Sequence, residues 1–111
     1  MSKIEANKGV ITQINVFTVQ PENMQALINL LIEAANAVQD TPGWLSANIH
    51  RSLDGTRVVN YAQCENYEAW EAVMEKLKAE NFIKRNQELA EAHPGLYEVI
   101  YTLETLSLIH I

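Results

Sequence analysis

The chain has 111 residues and a mass of 12.5 kDa, the size of one compact domain. Hydrophobic residues make up 48% and charged residues 20%, which excludes a disordered, collagen-like or disulfide-built chain. The 8 Lys+Arg against 14 Asp+Glu give a formal charge of −6, the wrong sign for a nucleic-acid footprint or an anionic lipid surface, so neither nucleic acid nor membrane is an expected partner.

Cys64 is the lone cysteine, so it forms no disulfide within the chain and suits a reducing, cytoplasmic compartment. Its plain reading is a small buried hydrophobe. The stretch MSKIEANKGV is polar and lacks the apolar core of a signal peptide, and no run approaches the ~18 apolar residues of a membrane span. The expected organisation is a flexible arm over residues 1–8, a domain over 9–104 and a tail over 105–111.

The run GVITQINVFTV, residues 9–19, is rich in β-branched types and predicts a strand. Pro21 and Glu22 then suit the first turn of a helix, where a missing N–H is harmless and an acid meets the positive dipole end. Met24, Leu27, Ile28, Leu31, Ala35 and Val38 follow at helical spacing until Asp40-Thr41-Pro42-Gly43 stops them. WLSANIHRS and TRVVNYAQC flank Leu53-Asp54-Gly55 and predict a β-hairpin, the strongest local signal in the chain. Asn66 can cap a further helix carrying Trp70, Val73, Met74 and Leu77. A second helical piece holds Phe82, Leu89 and Ala90 and ends before His93-Pro94-Gly95, after which LYEVIYTLE, residues 96–104, alternates as a last strand would.

Strand, helix, hairpin, helix, strand in a domain this small predicts an α+β, ferredoxin-like β-α-β-β-α-β fold: a four-stranded antiparallel sheet with its helices on one face. The uncovered face must then be wet, bind something or meet a second chain, and it is the face on which function is expected. Which residues share a face depends on the hairpin loop. A three-residue Leu53-Asp54-Gly55 loop pairs Ser52 with Thr56, His50 with Val58, Asn48 with Asn60 and Trp44 with Cys64. Ser46, Asn48, His50, Asn60 and Cys64 then share a face. A two-residue Asp54-Gly55 loop would instead place Asn60 and Cys64 with Leu45 and Ile49. The three-residue register separates polar from apolar better and is the expectation.

Residues 42–63, PGWLSANIHRSLDGTRVVNYAQ, resemble the signature of the antibiotic biosynthesis monooxygenase family, and the likeness extends more loosely over residues 9–104. The resemblance implies a ferredoxin-like protomer with a pocket between sheet and helices, pairing through its sheets into a dimeric α+β barrel. Studied members oxygenate quinol-like or anthrone-like aromatics with O₂ and without flavin, haem or metal, so no cofactor is expected. Such chemistry needs an electron-rich substrate that becomes its own electron donor once deprotonated, in a site that stabilises an anion and excludes water.

In the family's aromatic-polyketide enzymes the Asn of an N-Y-A-Q-W segment, the Trp ending it, a Tyr in the next helix and a His in the preceding strand are the site residues. Here Asn60 matches the Asn and His50 the His, whereas Cys64 replaces the Trp and Trp70 stands near the Tyr position. A haem-degrading branch uses a first-strand Asn, for which Asn15 qualifies, but also a His in the last helix, and NFIKRNQELAEA offers none.

The expected catalytic pair is His50, whose ordinary pKa suits a base near neutrality, and Asn60, out of place among strand formers. Asn15, Phe17, Trp70, Phe82 and Cys64 are the candidate substrate-binding residues. Each has a plain alternative: a half-exposed idle His, an Asn bonded to neighbouring backbone, aromatics at core spacing. Lys84 and Arg85 are candidates for steering an anionic substrate. His50, His93 and His110 show no paired spacing for a metal. The apolar LSLIHI at residues 106–111 is expected to add to a sheet edge.

The reading is a homodimeric cofactor-independent monooxygenase acting with O₂ on a small aromatic or quinol. The alternatives are an isomerase or decarboxylase acting on a small carbonyl compound through the same His and Asn, and a non-catalytic binding or stress protein.

Overall fold

The computed structural model describes residues 4–6 and 8–105. In chain order it contains β1 (Ile11–Val19), a single 3₁₀ turn (Pro21–Asn23), α1 (Met24–Val38), β2 (Trp44–Arg51), β3 (Arg57–Cys64), α2 (Tyr67–Ala79), α3 (Phe82–Leu89) and β4 (Ala90–Tyr97). The strands form one antiparallel sheet in the order β2-β3-β1-β4, the ferredoxin-like arrangement the element order predicts. No helix among the described residues is long and apolar enough to cross a membrane.

Local chemistry sets the helix ends. Pro21 begins the 3₁₀ turn that leads into α1. The Asn66 side chain accepts a hydrogen bond from the Ala69 N–H at 2.8 Å and so caps α2. Asn81, at φ 69°, takes the left-handed conformation that Asn tolerates best after Gly, and this turn separates α2 from α3. Gly43 (φ 88°) packs against α2 so closely that a Cβ there would sit 2.5 Å from the Ala69 Cβ, which brings the start of β2 onto the helix.

Residues paired across an antiparallel ladder share a face. The helix-covered face therefore carries Phe17 opposite Val58, Asn15 opposite Asn60, Gln13 opposite Ala62 and Ile11 opposite Cys64. Two apolar clusters fill the space beneath the helices. One joins Phe17, Val19 and Val58 to Met24, Leu27 and Leu31; the other joins Cys64 to Val38, Ala69 and Val73. The opposite face presents Ile14, Val16, Val59 and Tyr61, with His50 beside Val59 on β2 and His93 beside Val16 on β4.

Two expectations need correction. The hairpin pairs Ser52 with Arg57, not Thr56: the Ser52 N–H donates to the Arg57 carbonyl at 2.9 Å. The Thr56 N–H is instead taken by the Ser52 hydroxyl and the Asp54 carboxylate, each at 3.1 Å, so Thr56 joins the loop. Those bonds, with the Ser52 and Thr56 hydroxyls donating to Asp54, hold its carboxyl down at about 2. His50 consequently pairs with Val59, Asn48 with Tyr61 and Ile49 with Asn60. A bulge at Leu45 then restores the expected Trp44–Cys64 pair.

The last strand is the second correction. It spans Ala90–Tyr97 rather than 96–104, and Ala90 belongs to it rather than to the helix. Pro94-Gly95 reads as a turn, yet β4 is an edge strand, where a residue without an N–H is tolerated. The Tyr97 ring lies over Gly95, filling the space a side chain would occupy. Residues 98–105 follow without regular structure, with Ile100, Tyr101 and Leu103 exposed. The expected edge strand at 106–111 lies outside the described residues, as do residues 1–3 and 7 of the expected arm.

Candidate functional site

Four side-chain atoms are buried without a hydrogen-bond partner among the described residues: Asn15 Oδ1, Asn60 Oδ1, Trp70 Nε1 and Asn86 Oδ1. Leaving a buried polar group unsatisfied costs about 1–3 kcal/mol, so each of these atoms is a position that a water or a ligand group would satisfy. Two of them face each other. Asn15 and Asn60 are direct partners on β1 and β3, on the helix-covered face, with Cβ atoms about 4.5–5.5 Å apart as such pairs are. Their row continues to Ile49 on β2 and Pro94 on β4.

This row separates the two apolar clusters. On one side, the Phe17–Val58 pair belongs to the first cluster; on the other, beyond Gln13–Ala62, Cys64 belongs to the second. The small Ala62 and Ala47 sit opposite each other there, leaving that row of the covered face short of bulk on β2 and β3. Trp70 packs on the second cluster from α2, its ring tilted 40° to Tyr67 at a centroid distance of 5.3 Å. Asn86 and Phe82 are both buried on α3, four residues apart and so on one side of it.

The expected site residues thus fall into three groups. Asn15 and Asn60 lie on the helix-covered face of the sheet, and Trp70 lies on α2, where it also borders a surface groove with Met74 and Lys78; each carries a buried, unpaired polar atom. Phe17, Cys64 and Phe82 are buried: Phe17 in the first cluster, Cys64 in the second, and Phe82 beneath the Arg85 guanidinium at 5.4 Å. His50 is exposed on the opposite face of the sheet from Asn60, because the hairpin register differs from the expected one. Arg85 also pairs with Glu33 at 3.3 Å, which offsets the charge expected to steer a substrate.

Asn86 is the unpaired buried amide that the chain-order reading passes over, although the signal is present: an Asn at the i+4 position from Phe82, on the buried stripe of a helix. Among the described residues no three His, Cys, Asp or Glu side chains gather as metal ligands would. A surface groove of about 370 Å³ between α1 and α3, bordered by Leu30, Glu33, Arg85 and Leu89, contains none of the four unpaired groups.

Burial pushes the Cys64 thiol above its usual range, which keeps it protonated and unreactive near neutral pH. A folded-state pKa above the unfolded one stabilises the fold below the unfolded value of about 9, and that contribution is lost as pH rises beyond it. We expect Ellman's reagent to react with native Cys64 at least about tenfold more slowly than with the urea-unfolded chain at pH 8, since access and thiolate fraction both fall on folding.

The unpaired groups are amides and an indole, neutral rather than charged partners for a ligand. The chain is similar to known proteins in both sequence and fold. Residues 10–85 match the family model for antibiotic biosynthesis monooxygenase. Tetracenomycin-F1 monooxygenase of Streptomyces glaucescens is 39% identical over 64 residues, a match spanning 57% of this chain and 57% of that protein. Among solved structures, a monooxygenase of Streptomyces coelicolor in complex with Nanaomycin D superimposes with a TM-score of 0.81 at 21% identity, over 95% of this chain and 100% of that one. SnoaB, a cofactor-independent oxygenase from Streptomyces nogalater, gives 0.76 at 20% identity, over 87% and 99%. At those identities the structural likeness speaks for the fold, while the family model covers most of the chain. The chain belongs to the antibiotic biosynthesis monooxygenase family.

Proposed function

We propose that the protein is a cofactor-independent monooxygenase that oxidises an electron-rich polycyclic phenol or anthrone with O₂. The observation that carries this reading is the facing Asn15–Asn60 pair with its unpaired buried carbonyls, complemented by the unpaired Trp70 N–H. The family membership and the printed activities of the relatives support the same reading.

An anthrone-type substrate must first lose a proton, here to solvent before it is enclosed, to become an electron donor, and a proton returns when the peroxide collapses. Trp70 donates its N–H to the oxyanion that results, and an Asn amide turned about its terminal torsion presents N–H there as well. Enclosure between sheet and helices strengthens these bonds by excluding water. The anion gives an electron to O₂, the two radicals join at carbon, and the peroxide collapses: one oxygen becomes the new carbonyl, and the other leaves as water with the two hydrogens of the former CH₂. The chain supplies binding and charge stabilisation in these steps; the electrons come from the substrate.

This reading moves the weight from His50 to Asn60, since His50 faces away from the amides. Oxygen uptake by metal-stripped protein with dithranol, a hydroxylated anthrone, tests it. We expect uptake above the autoxidation rate that His50→Ala keeps within about twofold. No uptake above autoxidation would overturn the oxygenase reading and favour a non-oxidative or binding role.

The partner proposed for the other face is a second copy of the chain. Ile14, Val16 and Val59 are half-buried there, and an antiparallel sheet with helices on one side leaves such a face to water or to another sheet. Val16→Glu is expected to shift the sedimentation coefficient from dimer to monomer; an unchanged dimer would place the interface elsewhere.

A further inference from the structure

Asn86 is 7% exposed, and its Oδ1 has no partner among the described residues. It lies within an eight-residue helix, where Asn is a poor choice unless its side chain caps an end or returns a bond to the backbone. It does neither, as the α3 N-cap is Asn81 and the buried carbonyl is unpaired. An apolar residue would serve the stripe better on stability grounds, because Phe82 precedes it by one turn and Leu89, further along, packs on the cluster around Phe17. The polar group at this point of the stripe is therefore one that folding alone does not call for.

Its placement differs from that of the other two amides. Asn15 and Asn60 come from the sheet, whereas Asn86 comes from α3, which packs against α1, α2 and β4, the strand beside β1. We propose that Asn86 is a specificity-determining residue that receives a ring hydroxyl of the substrate, remote from the carbon that reacts. The inference rests on the oxygenase reading of the same layer and adds the functional group that the helix side selects. A hydroxyl is the group that fits: it donates to Oδ1 as the amide stands and accepts from N–H if the amide is turned over. An aliphatic or halogen substituent would leave the amide unpaired, and a site built to bond a hydroxyl discriminates against a ligand without one. Asn86 thus reads the substitution pattern of the ring, while Asn60 and Trp70 hold the oxyanion.

The experiment is anaerobic binding of 2,6-dihydroxynaphthalene and 2-hydroxynaphthalene, followed by quenching of Trp44 and Trp70 fluorescence, in the full chain and in Asn86→Leu, Asn86→Ala and Asn60→Leu. We expect the full chain to prefer the dihydroxy probe by about tenfold. Asn86→Leu should bind both probes alike, with a Tm unchanged or raised. A preference kept in Asn86→Leu overturns the inference, as does unfolding of both Asn86→Leu and Asn86→Ala, which would make the amide structural. Should Asn60→Leu weaken both probes while Asn86→Leu keeps the preference, only the role of Asn86 falls. If the full chain binds neither probe, the reading of the whole site falls with it.

Discussion

Replacing Asn60 with leucine is expected to slow oxygen uptake by at least about a hundredfold, the usual loss when one donor to a developing oxyanion is removed. The same substitution should leave the Tm unchanged or raise it. Both halves follow from one fact: Asn60 Oδ1 is buried and unpaired, so the amide contributes nothing to the folded chain that leucine, of similar shape, would forfeit. A residue that costs stability in the empty protein and supports activity in the occupied one is the expected signature of a functional position. Thermal denaturation and oxygen uptake on one preparation check both. A destabilised Asn60→Leu variant that retains turnover would mean that the amide is structural. Asn15, directly across the ladder, should behave alike, and the double variant should lose less than the two single losses combined, because the amides act on one anion.

The reach of the sequence into this site is instructive at particular residues. The covered-face pair Asn15–Asn60 involves two Asn residues in strands otherwise built of β-branched types, an anomaly visible without coordinates. Their facing each other was not visible, since it depends on the β1–β3 register, which pairs strands about 45 residues apart in the chain. His50 shows the cost of a single step. Leu53-Asp54-Gly55 reads as a three-residue loop, but Asp54 and Ser52 capture the Thr56 N–H and lengthen it, which turns His50 to the opposite face from Asn60. The Leu45 bulge then corrects the phase, so that Trp44 still meets Cys64.

A similar conflict of local and global preference governs the end of the domain. Residues 96–104 have the better alternating pattern, yet β1 pairs with Ala90–Tyr97, which contains a proline and a glycine. The partner strand and the short path from α3 decide the pairing, and edge position removes the objection to Pro94. The element order, the Asn66 cap and the core stripe of α1 are legible because each rests on neighbours in the chain; the Asn15–Asn60 pair is not, because it forms between strands distant in sequence.

Phe17 carries the largest expected effect on stability. It was a candidate for the substrate wall, but at 1% exposure it sits at the centre of the first cluster with Val58, Leu27 and Leu31 around it. Phe17→Ala should therefore destabilise the fold by about 3–5 kcal/mol, the cost of removing a buried ring and leaving a cavity. Against a total of about 5–15 kcal/mol for a domain, that is a large share, and the Tm should fall by more than about 10 °C. Phe17→Leu restores most of the lost volume and is expected to recover most of the Tm, with dithranol turnover near that of the unaltered chain. The two variants separate the roles cleanly, because a wall residue would betray itself in the leucine variant: a Tm close to the original with a KM raised several-fold would show the ring touching substrate. A phenylalanine one row from Asn15, on the same face of β1, can support the amide pair without lining its space. On the proposed oxygenase reading, the packing of Phe17 against Val58 holds β1 and β3 in place and so keeps the two unpaired amides from relaxing onto the backbone.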